Sequence, residues 1–213
     1  ATVEKSPEKL LAPATHTKIK GIEEHVQHLT TLVERLLDVS RIAENRLVLQ
    51  PQDADFVAIV KEVVERLGAA IDASGCEVTV RSPASLVGCW DRVRLGQVFT
   101  NLLSNAVKYG AGKPVEVGLE AIDGSARLSV KDHGIGIELG KMERIFTRFH
   151  RGVPATSYGG FGLGLWISKE LVAAMSGEIR VDSQPGQGAR FTVTVPTRFS
   201  ERARIPASER GSS

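Results

Sequence analysis

Arg92-Val93-Arg94-Leu95-Gly96-Gln97-Val98-Phe99-Thr100-Asn101-Leu102-Leu103-Ser104-Asn105-Ala106-Val107-Lys108-Tyr109, halted by Gly110, is the stretch on which the fold turns. At about 100° per residue, Leu95, Val98, Phe99, Leu102, Leu103 and Ala106 share one arc, and Gln97, Asn101, Ser104, Asn105 and Lys108 share the next. The apolar arc demands a sheet to pack on. The polar arc sets two amides and an ammonium side by side. Asparagine disfavours helix interiors because its side chain competes for backbone hydrogen bonds, so two of them one turn apart suggest a ligand. An amide oxygen can hold a hydrated Mg²⁺ and an ammonium can meet a phosphate. Taken alone, the same arc also fits a merely solvated face.

Working outward, the flanking elements mix strands and helices without strict alternation. On the N-terminal side, Leu47–Leu49 reads as a short strand ended by Pro51, and Asp53 or Asp55 can cap a helix with Val57, Val60, Val63, Val64 and Leu67 on its apolar face. Strand-like pieces follow at Glu77–Arg81 and Leu86–Cys89. On the C-terminal side, Val115–Ala121 and Arg127–Lys131 alternate around Asp123-Gly124 as a hairpin. A helix over about Gly162–Met175 ends at Gly177, before strands at Glu178–Asp182 and Arg190–Val195. The class is α+β: a two-layer sandwich with a mixed sheet and helices on one face.

Three further segments carry potential chemistry. Asp132-His133-Gly134-Ile135-Gly136-Ile137 ends a strand with a carboxylate beside two glycines, which suits a base that donates hydrogen bonds, although Asp and Gly are also ordinary turn residues. Gly159-Gly160-Phe161-Gly162-Leu163-Gly164-Leu165 opens a helix, where free amides and the helix dipole attract anions. No Gly-Lys-Ser/Thr follows, so it is not a P-loop. Pro185-Gly186-Gln187-Gly188 is, alone, a turn. Fifteen of the 21 glycines fall between Gly110 and Gly188, so the glycine surplus belongs to these segments.

Upstream, Ile19, Ile22, Val26, Leu29, Val33 and Leu36 alternate spacings of three and four, and Leu32, Leu37, Val39 and Ile42 widen that stripe toward a bundle. A single amphipathic helix packed on its own domain is the plainer alternative. Cationic and anionic side chains number 27 and 25, and the difference arises in the tail Thr197–Ser213, with four Arg against two Glu. No basic face follows, and nucleic acid is not an expected partner. Cys76 and Cys89 read as free thiols of a reducing compartment. No apolar run reaches the roughly 18 residues of a membrane span, so the chain itself is expected to be cytoplasmic and without membrane contact. Whether a parent protein is tethered stays open.

In this order, the four segments resemble the ATP-binding domain of sensor histidine kinases, within the gyrase–chaperone–kinase–MutL superfamily. Asn101–Tyr109 is similar to the N box, and Asp132–Ile137 to the first glycine box. Ile145–Gly152 is similar to the F box, and Gly160–Leu165 and Gly186–Gly188 to the second and third glycine boxes. Leu36–Ile42 resembles the end of the second helix of the dimerisation hairpin. The resemblance implies a Bergerat-type fold preceded by a long helix. Residues 1–46 would be a partial helical dimerisation and phosphotransfer region, with the second hairpin helix at about 17–44; 47–196 would be the catalytic ATP-binding domain, and 197–213 a tail or linker.

The resemblance also implies roles. Asn105 would coordinate the Mg²⁺ bridging the ATP phosphates, with Asn101 supporting the site. Lys108 would contact phosphate, Tyr109 would lie against the adenine–ribose portion, and Asp132 would accept from the adenine amino group. Gly134 and Gly136 would give close approach, and backbone amides of Gly160, Gly162, Leu163 and Gly164 would hold the phosphates. Arg151 would follow the γ-phosphate, although a surface arginine on a mobile loop is the alternative. Gly152–Gly160 would form a lid anchored by Phe146 and Phe149, both equally readable as core.

Phe161, Trp166 and His133 depart tolerably from the family pattern. The larger departure is that no His–acidic–x–basic–Thr–Pro acceptor box occurs around His16, His25 or His28. The chain is therefore expected to begin after the acceptor, or with a divergent first helix. The implied activity is transfer of the γ-phosphate of Mg-ATP to a hairpin histidine, for relay to a response regulator receiver domain, in a homodimer joined through the hairpin helices. The alternative is a non-catalytic ATP-binding module or an ATP-hydrolysing clamp. Superfamily hydrolases place a glutamate four residues before the metal-binding Asn; here Asn101 stands there and cannot take a proton.

Overall fold

The computed structural model describes residues 26, 29–30, 32–34, 36–44, 46–110, 112–150 and 162–198. The chain divides into two compact units, Ala1–Leu47 and Val48–Ser213. In the first, the described residues between 26 and 43 are helical (α1). Val26, Leu29, Val33, Leu36 and Leu37 are each at least half exposed along this helix, whereas Asp38 and Ile42 are buried. Ile19 and Ile22, the start of the expected stripe, lie outside the described residues.

The second unit runs β1 (Gln52–Asp55), α2 (Phe56–Arg66), α3 (Gly68–Ser74), β2 (Val78–Arg81), β3 (Val87–Trp90), α4 (Arg92–Gly110), β4 (Val115–Ile122), β5 (Ser125–Lys131), α5 (Gly164–Ala174), β6 (Glu178–Ser183) and β7 (Ala189–Pro196). Two short 3₁₀ turns, Leu139–Lys141 and Arg144–Phe146, fall between β5 and α5. Five strands form a mixed sheet in the order β2-β4-β5-β7-β6, in which only β2–β4 is parallel. β1 and β3 make a separate antiparallel ribbon.

Period-two alternation gives the sheet one dry face. Val117 pairs with Val130 and Leu119 with Leu128, while Leu128 and Val130 pair across the next ladder with Val193 and Phe191. All of these are buried. The alternate positions, among them Glu116, Ser129, Lys131 and Thr192, face the other way and stay partly exposed. The buried arc of α4 is Leu95, Val98, Phe99, Leu102, Leu103, Ala106 and Val107, as its periodicity requires. α2 and α5 flank α4. Each large side chain removed from water here contributes about 1.5–3 kcal/mol.

Local chemistry fixes the element ends. Asp55 accepts from Val57 N at 2.9 Å and caps α2. Buried Asp91 accepts from Arg94 N at 3.0 Å, capping α4, and its other oxygen accepts from Gln50 N at 2.9 Å. Asp123 and Gly124 both take positive φ, 43° and 74°, as a two-residue hairpin turn requires. Trp90 Nε1 donates to Pro196 O at 2.6 Å and Cys89 N to Thr197 O at 2.9 Å, so the end of β7 is bonded to the small ribbon.

Three expectations need correction, and one helix is additional to them. The strand expected at Leu47–Leu49 lies instead after Pro51, at Gln52–Asp55, because its ladder partner is β3. The short helix α3, closed by Gly75 at φ 71°, has no counterpart in the periodicity. After α5, which ends at Ala174, the left-handed conformation falls on Ser176 at φ 59° and not on Gly177. Phe146 is core, edge-on to Phe191 at 6.4 Å, whereas Phe149 is 66% exposed and is not. Cys76 is buried, Cys89 is half-buried, and both are free thiols.

Candidate functional site: a backbone-walled cleft beside the amide helix

Asp132 closes β5 and is buried, with Oδ1 accepting from Gly134 N at 2.8 Å and its own N donating to Ala189 O at 2.9 Å. Burial raises its carboxyl above the usual carboxylate range, against the opposing backbone hydrogen bond from Gly134. The turn that follows threads between the end of α4 and the β6–β7 loop. Ile135 N donates to Tyr109 O at 3.4 Å, Gly186 N to Ile135 O at 2.8 Å, and Ile137 N to Ser183 Oγ at 2.9 Å.

These segments approach so closely that side chains are excluded. A Cβ on Gly134 would stand 1.8 Å from Tyr109 O, and one on Gly188 would stand 2.0 Å from Asp132 O. Gly136 would meet Gln184 O at 2.0 Å and has φ 68° besides. The first and third glycine segments, over 40 residues apart in sequence, thus form one shelf around Asp132.

On α4, Asn101 and Asn105 are half-buried. Asn101 Nδ2 donates to Ser168 Oγ at 2.9 Å on α5. Asn105 makes no side-chain hydrogen bond among the described residues, which leaves its amide oxygen available to a hard cation such as Mg²⁺. Lys108 Nζ lies 5.1 Å from the Tyr109 ring centroid. Lys108 also borders a cleft of about 470 Å³ between α3 and α4, lined by Leu67, Ala70, Ile71 and Val107 but not by Asn101, Asn105 or Asp132. Gly162, at φ 68°, sits against the backbone of Phe149 and His150, and buried Leu163 leads into α5 at Gly164. Arg151, Gly160 and the expected lid Gly152–Gly160 lie outside the described residues.

Two residues not singled out in the sequence, Ser168 and Glu116, partner ones that were. Ser168 gave no signal beyond a polar residue on the buried side of α5. Glu116 on the outer sheet face accepts from His133 Nε2 at 2.8 Å and Lys131 Nζ at 3.1 Å, and these two partners, His133 foremost, hold its carboxyl below the usual range. His133 is thereby accounted for by a surface partner. Trp166 is buried beneath the Arg148 guanidinium at 4.3 Å from the ring centroid, a cation–π contact.

Residues 90–198 match the family model described as histidine kinase-, DNA gyrase B- and HSP90-like ATPase. The chain belongs to this ATPase family. Within it, the likeness is to sensor histidine kinases, and residues 90–198 form their ATP-binding domain. The chain is 35% identical over 197 residues to the sensor-like histidine kinase SenX3 of Mycobacterium tuberculosis, covering 89% of this chain and 48% of that protein. Cyanobacterial phytochrome B of Nostoc is 36% identical over 175 residues, 79% of this chain and 23% of that one. Among solved structures, full-length ShkA in complex with AMPPNP aligns with a TM-score of 0.76 at 30% identity, over 89% of this chain and 40% of that chain. The mycobacterial sensor histidine kinase MprB aligns at TM-score 0.62 and 30% identity, over 71% of this chain and all of that chain. The chain thus spans about half the length of SenX3. Among the described residues, no helix is long and apolar enough to cross a membrane.

Proposed function

We propose that the protein is the kinase core of a two-component sensor, binding Mg-ATP and transferring its γ-phosphoryl group to a histidine of the helical hairpin, for relay to a receiver-domain aspartate. Asp132 would accept from the adenine amino group on the glycine shelf. Asn105 would hold Mg²⁺, which supplies charge neutralisation for the phosphates. Lys108, Arg151 and the backbone amides at Gly160, Gly162, Leu163 and Gly164 would meet the phosphates, with Tyr109 against the adenine–ribose portion. The attacking group would be the imidazole: a P–N bond forms as the bond from γ-phosphorus to the ADP oxygen breaks, and ADP leaves with that electron pair. Pairing of two copies through α1 and its hairpin partner belongs to the same proposal.

One observation carries kinase over hydrolase. Four residues before Asn105 stands a neutral amide, already committed to Ser168 at 2.9 Å. It has no proton affinity to activate water, so catalysis rests on positioning and charge stabilisation of an incoming nucleophile. Supplying an acceptor hairpin in trans with γ-labelled ATP should place label on the hairpin histidine. Label released only as inorganic phosphate refutes the kinase, and undiminished ATP affinity in both Asn105→Ala and Asp132→Ala refutes the site.

A further inference from the structure

We infer that Ser168 is a positioning residue for the nucleotide site, acting through Asn101 as a strut between α4 and α5. The inference rests on the Mg-ATP reading of the α4 face given above. Ser168 is 1% exposed and follows buried Ile167, with buried Leu171 and Val172 in the next turn. A hydroxyl at such a place is costly unless it is bonded, and its partner is the Asn101 amide at 2.9 Å.

The same amide is held from a second side. A Cβ on Gly164 would come within 2.1 Å of Asn101 Oδ1 and 2.9 Å of its Cγ, so the carboxamide occupies the space that any larger residue would need. Gly164 and Ser168 are one turn apart on α5 and present the same face. Asn101 is therefore gripped at both ends, nitrogen on the hydroxyl and oxygen against the bare backbone. Asn105 lies one turn further along the same face of α4.

This grip has a consequence for the nucleotide. The first amides of α5, at Gly164 onward, precede the intrahelical ladder that opens with Ile167 N donating to Leu163 O at 2.9 Å. Phosphates would be held between those amides and the cation on Asn105. The Asn101–Ser168 wedge sets the spacing of the two. Asn101 thus contributes by locking the helices in register rather than by touching the metal.

Threonine and valine at position 168 have the same shape and differ only in the hydroxyl. Isothermal titration of the full chain with Mg-ATP should give Ser168→Thr within about twofold of the unsubstituted protein and Ser168→Val about tenfold weaker, the size of one hydrogen bond. In an Asn101→Ala background, the difference between the two should vanish. Equal affinities for Thr and Val, or a difference that persists without Asn101, overturns the inference. Should the branched side chains prevent folding, Ser168→Ala decides: it must weaken binding alone and add nothing to Asn101→Ala, and any other pattern refutes the strut. Undiminished binding in both Asn105→Ala and Asp132→Ala would instead sink the underlying site.

Discussion

Substituting Gly134 by alanine tests the cleft most directly. The added Cβ would stand 1.8 Å from Tyr109 O and 2.6 Å from Tyr109 C. A carbon needs about 3.3 Å from a carbonyl oxygen, so the turn and the end of α4 must separate by about 1.5 Å. The obstacle is backbone at the end of a 19-residue helix, and no rotamer change relieves it. Overpacking of this kind costs about 1–3 kcal/mol. The shift also pulls Gly134 N from the Asp132 carboxylate, now 2.8 Å away, a charged hydrogen bond worth about 1.5–3 kcal/mol. Together about 2.5–6 kcal/mol is lost, of the roughly 5–15 kcal/mol that a domain has. Thermal unfolding should fall by about 10 °C for a unit of this size. Mg-ATP affinity should fall about a hundredfold, since a displacement of about 1 Å at a positioned group carries that penalty. Gly140→Ala is the control, because a Cβ there meets nothing within 4 Å and its φ is ordinary; it should change stability by less than about 0.5 kcal/mol. Calorimetric melting and titration on both variants decide. If Gly134→Ala melts and binds like Gly140→Ala, the close approach is wrong.

Other outcomes follow from Asp132, Asp91 and Leu128. Recognition of an amino group needs ionised Asp132, and burial raises its pKa, so ATP affinity should decline on acidification at a higher pH than an exposed aspartate would impose. The sign for folding is opposite: the ionised, buried carboxylate costs stability above its raised folded pKa, and that cost is relieved as pH falls through it. Asp132→Asn should weaken binding at neutral pH and flatten the acid limb of an affinity–pH titration. Asp91→Ala removes the acceptor for both Gln50 N and Arg94 N and should cost about 2 kcal/mol in urea unfolding, while Asp91→Asn, still a good cap, should cost less than half of that. Leu128→Ala, at the centre of two ladders, should cost about 2–5 kcal/mol by the same assay.

Helix α4 was legible from its own residues because its two arcs obey one period and Gly110 stops it; the Asp91 cap shows only in the hydrogen bond from Arg94 N. The β4–β5 hairpin was legible because Asp123-Gly124 has few other uses between alternating runs. What escaped notice depends on partners distant in sequence. Gln52–Asp55 has poor strand propensity and is a strand only because β3 lies beside it, whereas Leu47 and Leu49 alternate convincingly and find no ladder. Gly68–Ser74 opens on a helix-weakening glycine and buries only Ile71. At the site, residue types marked Asn105, Asp132 and the glycines, but nothing local distinguishes Ser168 from an incidental serine. Only its distance to Asn101 does so. Phe149 had the residue type of a core side chain, yet its backbone turns it outward at φ 59°.

The glycine shelf also limits how the protein can be repaired. Gly118 crowds the Ser129 hydroxyl alone. A genetic screen could in principle recover alanine there by shortening the side chain opposite. Gly134, Gly136 and Gly188 crowd only backbone atoms, above all the carbonyls of Tyr109, Gln184 and Asp132, and every amino acid carries that backbone. No second-site change can shrink it. Loss-of-function alleles at these three glycines should therefore yield true revertants and almost no intragenic suppressors.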